Sequence, residues 1–172
     1  MKRLYLIRHC KAAKTSENDG DRGRSLAGSG PSDATAIGVR LAELGAHPEL
    51  ILCSSARRAV ETATLVTRSL PTPPPITRED GLYDATPGDV FARIQSLDDD
   101  LGTVIIIGHN PTLGILAQHL AGGKDPVLLA SLSRKFPAGA VACLEFDTTR
   151  WTALAPGGGA LTFFLTPKLL TA

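Results

Sequence analysis

A three-layer α/β/α fold, with a mostly parallel central sheet, is predicted for this 172-residue chain by three features of its sequence. Short apolar runs alternate with amphipathic segments, the pattern of strands joined by helical crossovers. Two of those runs, Leu4-Tyr5-Leu6-Ile7 and Val104-Ile105-Ile106-Ile107, are continuously apolar, as buried strands are. Each leads into a histidine, through Arg8-His9 and Gly108-His109, at the strand end where open α/β sheets keep their chemistry.

The strands are expected at residues 3–8, 49–54, 75–78, 103–108, 139–146 and 161–166, and the helices at 31–45, 56–69, 87–98 and 111–121. In the first helix Ala34, Ile37, Leu41 and Leu44 recur at helical spacing and mark the face that packs on the sheet; Asp33, Arg40 and Glu43 are left for water. The second has the stripe Ala59, Ala63, Val66 and Leu70, with Arg57 and Glu61 at the i,i+4 spacing of a solvated ion pair. Thr86-Pro87 and Asn110-Pro111 open the third and fourth helices, with Asn110 as cap and Pro111 in the first turn. Lys11 to Gly30 is long and polar for a connection, and its place directly after Arg8-His9 favours a functional loop. Pro71-Thr72-Pro73-Pro74-Pro75 reads as a stiff connector and Gly157-Gly158-Gly159 as a turn.

Composition narrows the function classes. The length suits one domain over residues 1–172, and 43% hydrophobic with 20% charged residues is ordinary for a globular domain. A formal charge of +1 gives no global field toward nucleic acid or an anionic membrane. The apolar stretch behind Lys2-Arg3 is too short for a signal sequence or a membrane span, so a cytoplasmic location is expected. The three cysteines, Cys10, Cys53 and Cys143, show no metal-ligand spacing and fit a reducing compartment. No His-x-x-x-His or paired-aspartate motif points to metal hydrolysis, and neither a metal nor a cofactor is expected.

The two strand-end histidines and a third segment, Ser54-Ser55-Ala56-Arg57-Arg58-Ala59-Val60-Glu61-Thr62, together suggest a phosphate pocket. Phosphoryl transfer to histidine needs a neutral imidazole with one bare nitrogen, and an acceptor such as a strand-end carbonyl to hold its other N–H. Flanking guanidiniums grip the phosphoryl oxygens and disfavour the imidazolium, a task for Arg8 and one of Arg57 or Arg58. A second imidazole, His109, would donate a hydrogen bond as charge moves during transfer.

This set resembles the motifs of the histidine phosphatase superfamily, in which the first histidine is transiently phosphorylated. That resemblance implies a phosphoglycerate mutase-like fold. The family's middle motif, Ser-Pro-Ala-x-Arg-Ala-x-Gln-Thr, aligns its phosphate-binding arginine with Arg58. Arg24-Ser25-Leu26-Ala27-x-x-Gly30 and Leu82-Tyr83-Asp84-Ala85 resemble the Arg-Pro-Leu-Thr-x-x-Gly and Leu-Tyr-x-Ala of SixA-type phosphohistidine phosphatases, a group tied to signal transduction. The resemblance implies His9, Arg8, Arg58 and His109 as catalytic residues, and Arg8, Arg58, His109, Arg24 and Ser54 as substrate-binding ones. It also implies a phosphorylated substrate, a histidine-phosphorylated protein in the SixA-type case.

Among the departures from the family pattern, Cys10 stands where it has glycine after the nucleophile, Ser55 where it has proline and Glu61 where it has glutamine. Mutases of the family also carry a carboxylic acid after the middle motif, and Glu79 and Asp80 lie in a comparable stretch. An unassigned acid fits a phosphohistidine substrate, because the far ring nitrogen titrates near neutrality, about 6.5 in model peptides, so the group can leave as neutral imidazole without a dedicated carboxylic acid. The alternatives are a small-molecule phosphomonoesterase using Glu79, Asp80 or Asp84, and a phosphate- or phosphoprotein-binding module without turnover. A cysteine-dependent phosphatase is not expected: its phosphate loop needs an arginine six positions after Cys10, where this chain has Ser16. His47 and His119 are assigned no role, and Arg22 is expected to be solvated.

Overall fold

In the computed structural model, which describes residues 1–170, the apolar runs form β1 (Lys2–Arg8), β2 (Leu50–Ser54), β3 (Ile76–Glu79), β4 (Thr103–Gly108), β6 (Val141–Phe146) and β7 (Gly159–Leu165), with a two-residue β5 (Ala121–Gly122). They lie in one sheet in the order β3-β2-β4-β1-β6-β7-β5. β3, β2, β4 and β1 are mutually parallel, while β6 runs antiparallel to both β1 and β7. The sheet is therefore mostly parallel, as expected. Its helices are α1 (Gly30–Glu43), α2 (Arg57–Arg68), α3 (Pro87–Gln95), α4 (Thr112–Leu120), α5 (Pro126–Arg134) and α6 (Pro167–Leu170).

Side chains alternate across the strands, and both faces are apolar because both are covered. Tyr5, Ile7, Ile51, Cys53, Ile105 and Ile107 pack with the α1 and α2 residues Ile37, Leu41, Ala59, Ala63 and Val66. Leu4, Leu6, Leu52, Val104 and Ile106 face the other layer, with Ile94 of α3, Leu116 of α4 and Leu132 of α5. α1 and α2 approach so closely at Gly38 that a Cβ there would lie 2.4 Å from the Val66 carbonyl oxygen.

Several local expectations are corrected. α1 ends at Glu43, so Leu44 falls off the core stripe and is 42% exposed. Asp33, assigned to the wet face, is buried and accepts a hydrogen bond of 2.8 Å from the Ser29 hydroxyl. α4 begins at Thr112, and the Asn110 carboxamide oxygen reaches its first turn by accepting from the Gly114 N–H at 3.2 Å. α5, absent from the sequence-based assignment, is capped by the Asp125 carboxylate, which accepts from the Val127 and Leu128 N–H groups. Leu132 is its only fully buried residue, so its sequence offers almost no apolar periodicity to read.

Register positions the site. Arg8 pairs with Gly108 across β1 and β4, so His9 and His109 emerge side by side beyond the carboxyl ends of the two central strands. The His9 N–H donates to the Gly108 carbonyl at 3.0 Å, which continues the pairing by one residue. β2, on the far side of β4, ends at Ser54 and delivers the start of α2 to the same edge.

The α1–α2 crossing is an exacting contact in this arrangement. Gly38→Ala is expected to lower the unfolding free energy by about 1–3 kcal/mol, as an overpacked interior contact does. Urea unfolding followed by circular dichroism reads this as a lower midpoint at constant slope; an unchanged midpoint would show that the helices separate at little cost.

Candidate active site

A polar cleft of about 260 Å³ opens at the carboxyl ends of β1 and β4, lined by Arg8, His9, Asp21, Arg24, Arg58, Tyr83, Asp84, His109 and Asn110. Five of the six residues predicted for the site thus line one cleft. The sixth, Ser54, is fully buried behind His109.

His9 is held by its neighbour. Its Nδ1–H donates to the Cys10 carbonyl at 2.8 Å, which fixes the tautomer and leaves Nε2 bare. That nitrogen accepts from the Arg58 Nε–H at 3.3 Å. Burial first, and then the charges of Arg58, Arg8 and Arg24, push the His9 pKa down to about 4, so the imidazole is neutral near pH 7.

The second imidazole lies 5.2 Å from the first, centroid to centroid. Its Nε2 is 2.7 Å from the Ser54 hydroxyl, and its Nδ1 is 3.4 Å from Arg58 Nη2. Ser54 Oγ accepts the Ala56 N–H at 3.2 Å and still has its own proton to give. The hydroxyl can therefore serve either tautomer of His109, donating to a bare Nε2 or accepting from Nε2–H. When it donates, the His109 proton sits on Nδ1 and faces the cleft. Burial, followed by His9 and Arg58, lowers the His109 pKa to about 3.

Arg58 projects from the first turn of α2 and is only 4% exposed, while Arg57 beside it points to solvent and pairs with Glu61 at 2.7 Å. Arg8 donates from Nη1 to the Phe136 carbonyl at 3.2 Å, and its buried Nε has no hydrogen-bond partner. Asn110 Nδ2 binds the same carbonyl at 2.7 Å, so the segment after α5 braces two cleft residues. Arg24 donates from Nη1 to the Ala13 carbonyl and from Nε to Asp21, at 2.9 and 2.8 Å. Arg22 pairs with Asp80 at 3.0 Å and lies over the Tyr83 ring.

Cys10, the departure from the family pattern, turns away from the cleft into the α1–α2 side of the core. No described non-glycine residue has a positive φ, so the backbone here does not demand glycine. Burial raises the thiol pKa to about 12, which leaves no thiolate for a cysteine mechanism. Close backbone approach is instead met from across the site: Gly139, at φ +76°, donates its N–H to the Arg8 and His9 carbonyls, both at 3.1 Å.

Four residues of the site were assigned no role from the sequence. Thr62 is fully buried; its hydroxyl accepts from the Cys10 N–H at 3.1 Å and donates to the Arg58 carbonyl at 2.7 Å, tying the loop after His9 to the helix that carries Arg58. Its position at the end of the middle motif was the signal available. Asp21 and Tyr83 meet across the cleft mouth through a hydroxyl–carboxylate hydrogen bond, and Gly139 underlies His9. Of the three candidate acids, Glu79 is engaged by Arg93 at 2.8 Å and Asp80 by Arg22, both outside the cleft. Asp84 lines the cleft and forms no hydrogen bond or ion pair with another described residue. No cluster of three or more His, Cys, Asp or Glu among the described residues is arranged to hold a metal ion, and no described helix is long and apolar enough to cross a membrane.

Two strand-end histidines beside the buried Arg58 and the half-buried Arg8 form the kind of site that suits a phosphoryl group. The sequence profile of the histidine phosphatase superfamily (branch 1) matches residues 4–96, and the chain belongs to that superfamily. It is 32% identical to the protein Rv1276c of Mycobacterium tuberculosis over 94% of this chain and all of that one. Among solved structures it is similar to the Agrobacterium tumefaciens protein assigned as the phosphohistidine phosphatase SixA, with 28% identity, a TM-score of 0.81 and coverage of 96% and 98% of the two chains. A second protein with the same assignment, from Nakamurella multipartita, gives 28% identity and a TM-score of 0.80 over 96% of each chain.

Neutral buried histidines leave a signature in stability. An unfolded histidine takes up a proton near pH 6.5, whereas His9 and His109 resist it until about 4 and 3, so the unfolded state binds more protons in between. Stability should therefore fall as pH drops from about 6.5 toward 4. Replacing both residues with Asn should flatten that part of the profile in urea unfolding. An equally steep profile in the double variant would place the acid sensitivity elsewhere.

Proposed function

We propose that residues 1–172 form a single histidine phosphatase domain that hydrolyses phosphohistidine on a protein through a phosphorylated His9, without a metal ion. The observation that carries this reading is the unprotonated His9 Nε2, its tautomer set by Cys10 and its lone pair accepting from the Arg58 Nε–H at the cleft shared with His109, a donor that a phosphoryl oxygen would take over on binding. In the first step Nε2 attacks phosphorus, the P–N bond of a substrate protonated on its far ring nitrogen breaks, and neutral imidazole departs with the electron pair. Arg8 and Arg58 hold the phosphoryl oxygens, and the His109 Nδ1–H donates to one of them as charge shifts. Arg24 adds positive charge at the rim, while Ser54 acts through His109 by holding its Nε2. Water then attacks the phosphoryl group and returns His9 to its bare form, releasing inorganic phosphate.

Both the leaving group and the shape of the cleft favour phosphohistidine. Imidazole departs without a strong acid, and Glu79 and Asp80 are occupied by arginines outside the cleft. The cleft is small for an organic ligand but sufficient for a phosphoryl group presented on another surface. A second reading, a small-molecule phosphomonoesterase, is favoured by Asp84, the one candidate acid that lines the cleft. General acid catalysis by that carboxyl would contribute about a hundredfold or more on an alkyl ester.

Turnover of a histidine-phosphorylated carrier protein, compared with alkyl phosphates, separates the readings when combined with rapid acid-labile phosphate labelling. The protein substrate should turn over faster. Labelling should vanish in His9→Ala and fall far more in Arg58→Ala than in Arg57→Ala. Preferred alkyl-ester hydrolysis that collapses in Asp84→Asn would establish the phosphomonoesterase, and binding without any labelling would establish a phosphate-binding module.

A further inference from the structure

A guanidinium offers its donors along two useful edges: a side edge of Nε–H with one Nη2–H, and an end edge of the other Nη2–H with Nη1–H. Arg58 uses both. The side edge faces the imidazoles, with Nε 3.3 Å from His9 Nε2 and Nη2 3.4 Å from His109 Nδ1. The end edge is gripped by one residue of the long loop: Nη1 donates to the Asp21 carbonyl at 2.7 Å, and Nη2 to Asp21 Oδ2 at 3.0 Å.

Asp21 is itself fixed from two further directions. Arg24 donates to Oδ1 from Nε and Nη2, at 2.8 and 2.7 Å. The Tyr83 hydroxyl donates to Oδ2, and the Tyr83 ring stands edge-on to His109 at 5.5 Å. One carboxylate thus joins the 11–29 loop, α2 and the turn after β3. The Tyr83 hydrogen bond, then Arg58 and Arg24, hold its carboxyl well below the usual carboxylate range, so the joint is ionised throughout neutral pH.

We propose that Asp21 is a positioning residue for phosphoryl transfer, gripping the end edge of Arg58 so that the side edge stays aimed at the group bound between His9 and His109. The proposal rests on reading the cleft as a phosphoryl site. It runs against the obvious electrostatic expectation that an anion beside the cleft weakens anion binding. Asp21 has a side chain 51% exposed, so its through-space repulsion is screened, whereas a misaimed catalytic group costs on the order of a hundredfold. Orientation therefore dominates.

Orthovanadate binding by calorimetry tests the proposal without requiring turnover, and p-nitrophenyl phosphate kinetics adds the division between kcat and KM. Asp21→Ala should weaken orthovanadate binding by on the order of tenfold and lower kcat as well as raise KM. Asp21→Asn, whose amide oxygen can still accept from Nη2, should recover part of the loss. Asp80→Ala, which removes the partner of Arg22 outside the cleft, should change neither quantity. In an Arg58→Lys background, where no two-edged donor exists, adding Asp21→Ala should cause no further loss. Tighter or unchanged orthovanadate binding in Asp21→Ala would overturn the proposal, as would an equal loss in the Arg58→Lys background. A wild-type protein that binds orthovanadate but turns over no phosphoryl substrate would instead defeat the phosphatase reading, leaving the binding comparison to decide the role of Asp21.

Discussion

Arg58 reaches from the first turn of α2 into the space between two imidazoles, where it is almost fully buried. A guanidinium keeps its charge under such burial, whereas an imidazole gives its charge up. With burial, which is the larger cause, the placement favours three nearby features. His9 stays neutral with its Nε2 lone pair turned to the Arg58 Nε–H, His109 stays neutral with its Nδ1 beside Arg58 Nη2, and the cleft between them gains positive charge. Burial is the larger cause of both neutral imidazoles and the Arg58 charge adds to it, so removing the cation would loosen the hold on both histidines without abolishing it.

The rest of the fold serves that juxtaposition. Parallel pairing of β1 with β4 puts His9 and His109 in adjacent register, and β2 supplies Ser54 to one imidazole and the start of α2 to the other. Thr62 links the Cys10 N–H to the Arg58 carbonyl, so the acceptor that sets the His9 tautomer and the helix carrying Arg58 are tied together. Opposite them, Gly139 and the Phe136 carbonyl hold the Arg8-His9 turn and the Arg8 side chain. Membership of the histidine phosphatase superfamily is expressed here as this set of constraints more than as any single side chain.

Much of this was legible in the sequence, for physical reasons that differ by element. The central strands were readable because burial on both faces makes their runs continuously apolar, and α2 because its alanine and valine stripe keeps helical period against the sheet. Arg8, His9, Arg58 and His109 were readable because motif residues lie at strand ends and helix starts, where position in sequence nearly determines position in space. Leu44 and Asp33 misled: periodicity cannot show where α1 stops or that a Ser29 hydroxyl waits for the carboxylate. α5 escaped notice because it buries a single leucine. Asp21 and Gly139 join segments far apart in the chain, and no local pattern encodes which polar residue of a long loop turns inward; Tyr83 lay in a quoted motif, but only the structure shows that it meets Asp21. Ser54 was legible as part of a motif, but only the structure separates contact with the cleft from contact with His109.

The central claim is that the nucleophile is His9 Nε2, presented bare to a group held by Arg8, Arg58 and His109. A crystal structure of the protein with orthovanadate tests it most directly. The account predicts vanadium bonded to His9 Nε2, with its oxygens on the two guanidiniums and on His109 Nδ1. Vanadium bonded to the Cys10 sulfur, or seated elsewhere with His9 uncoordinated, would contradict it.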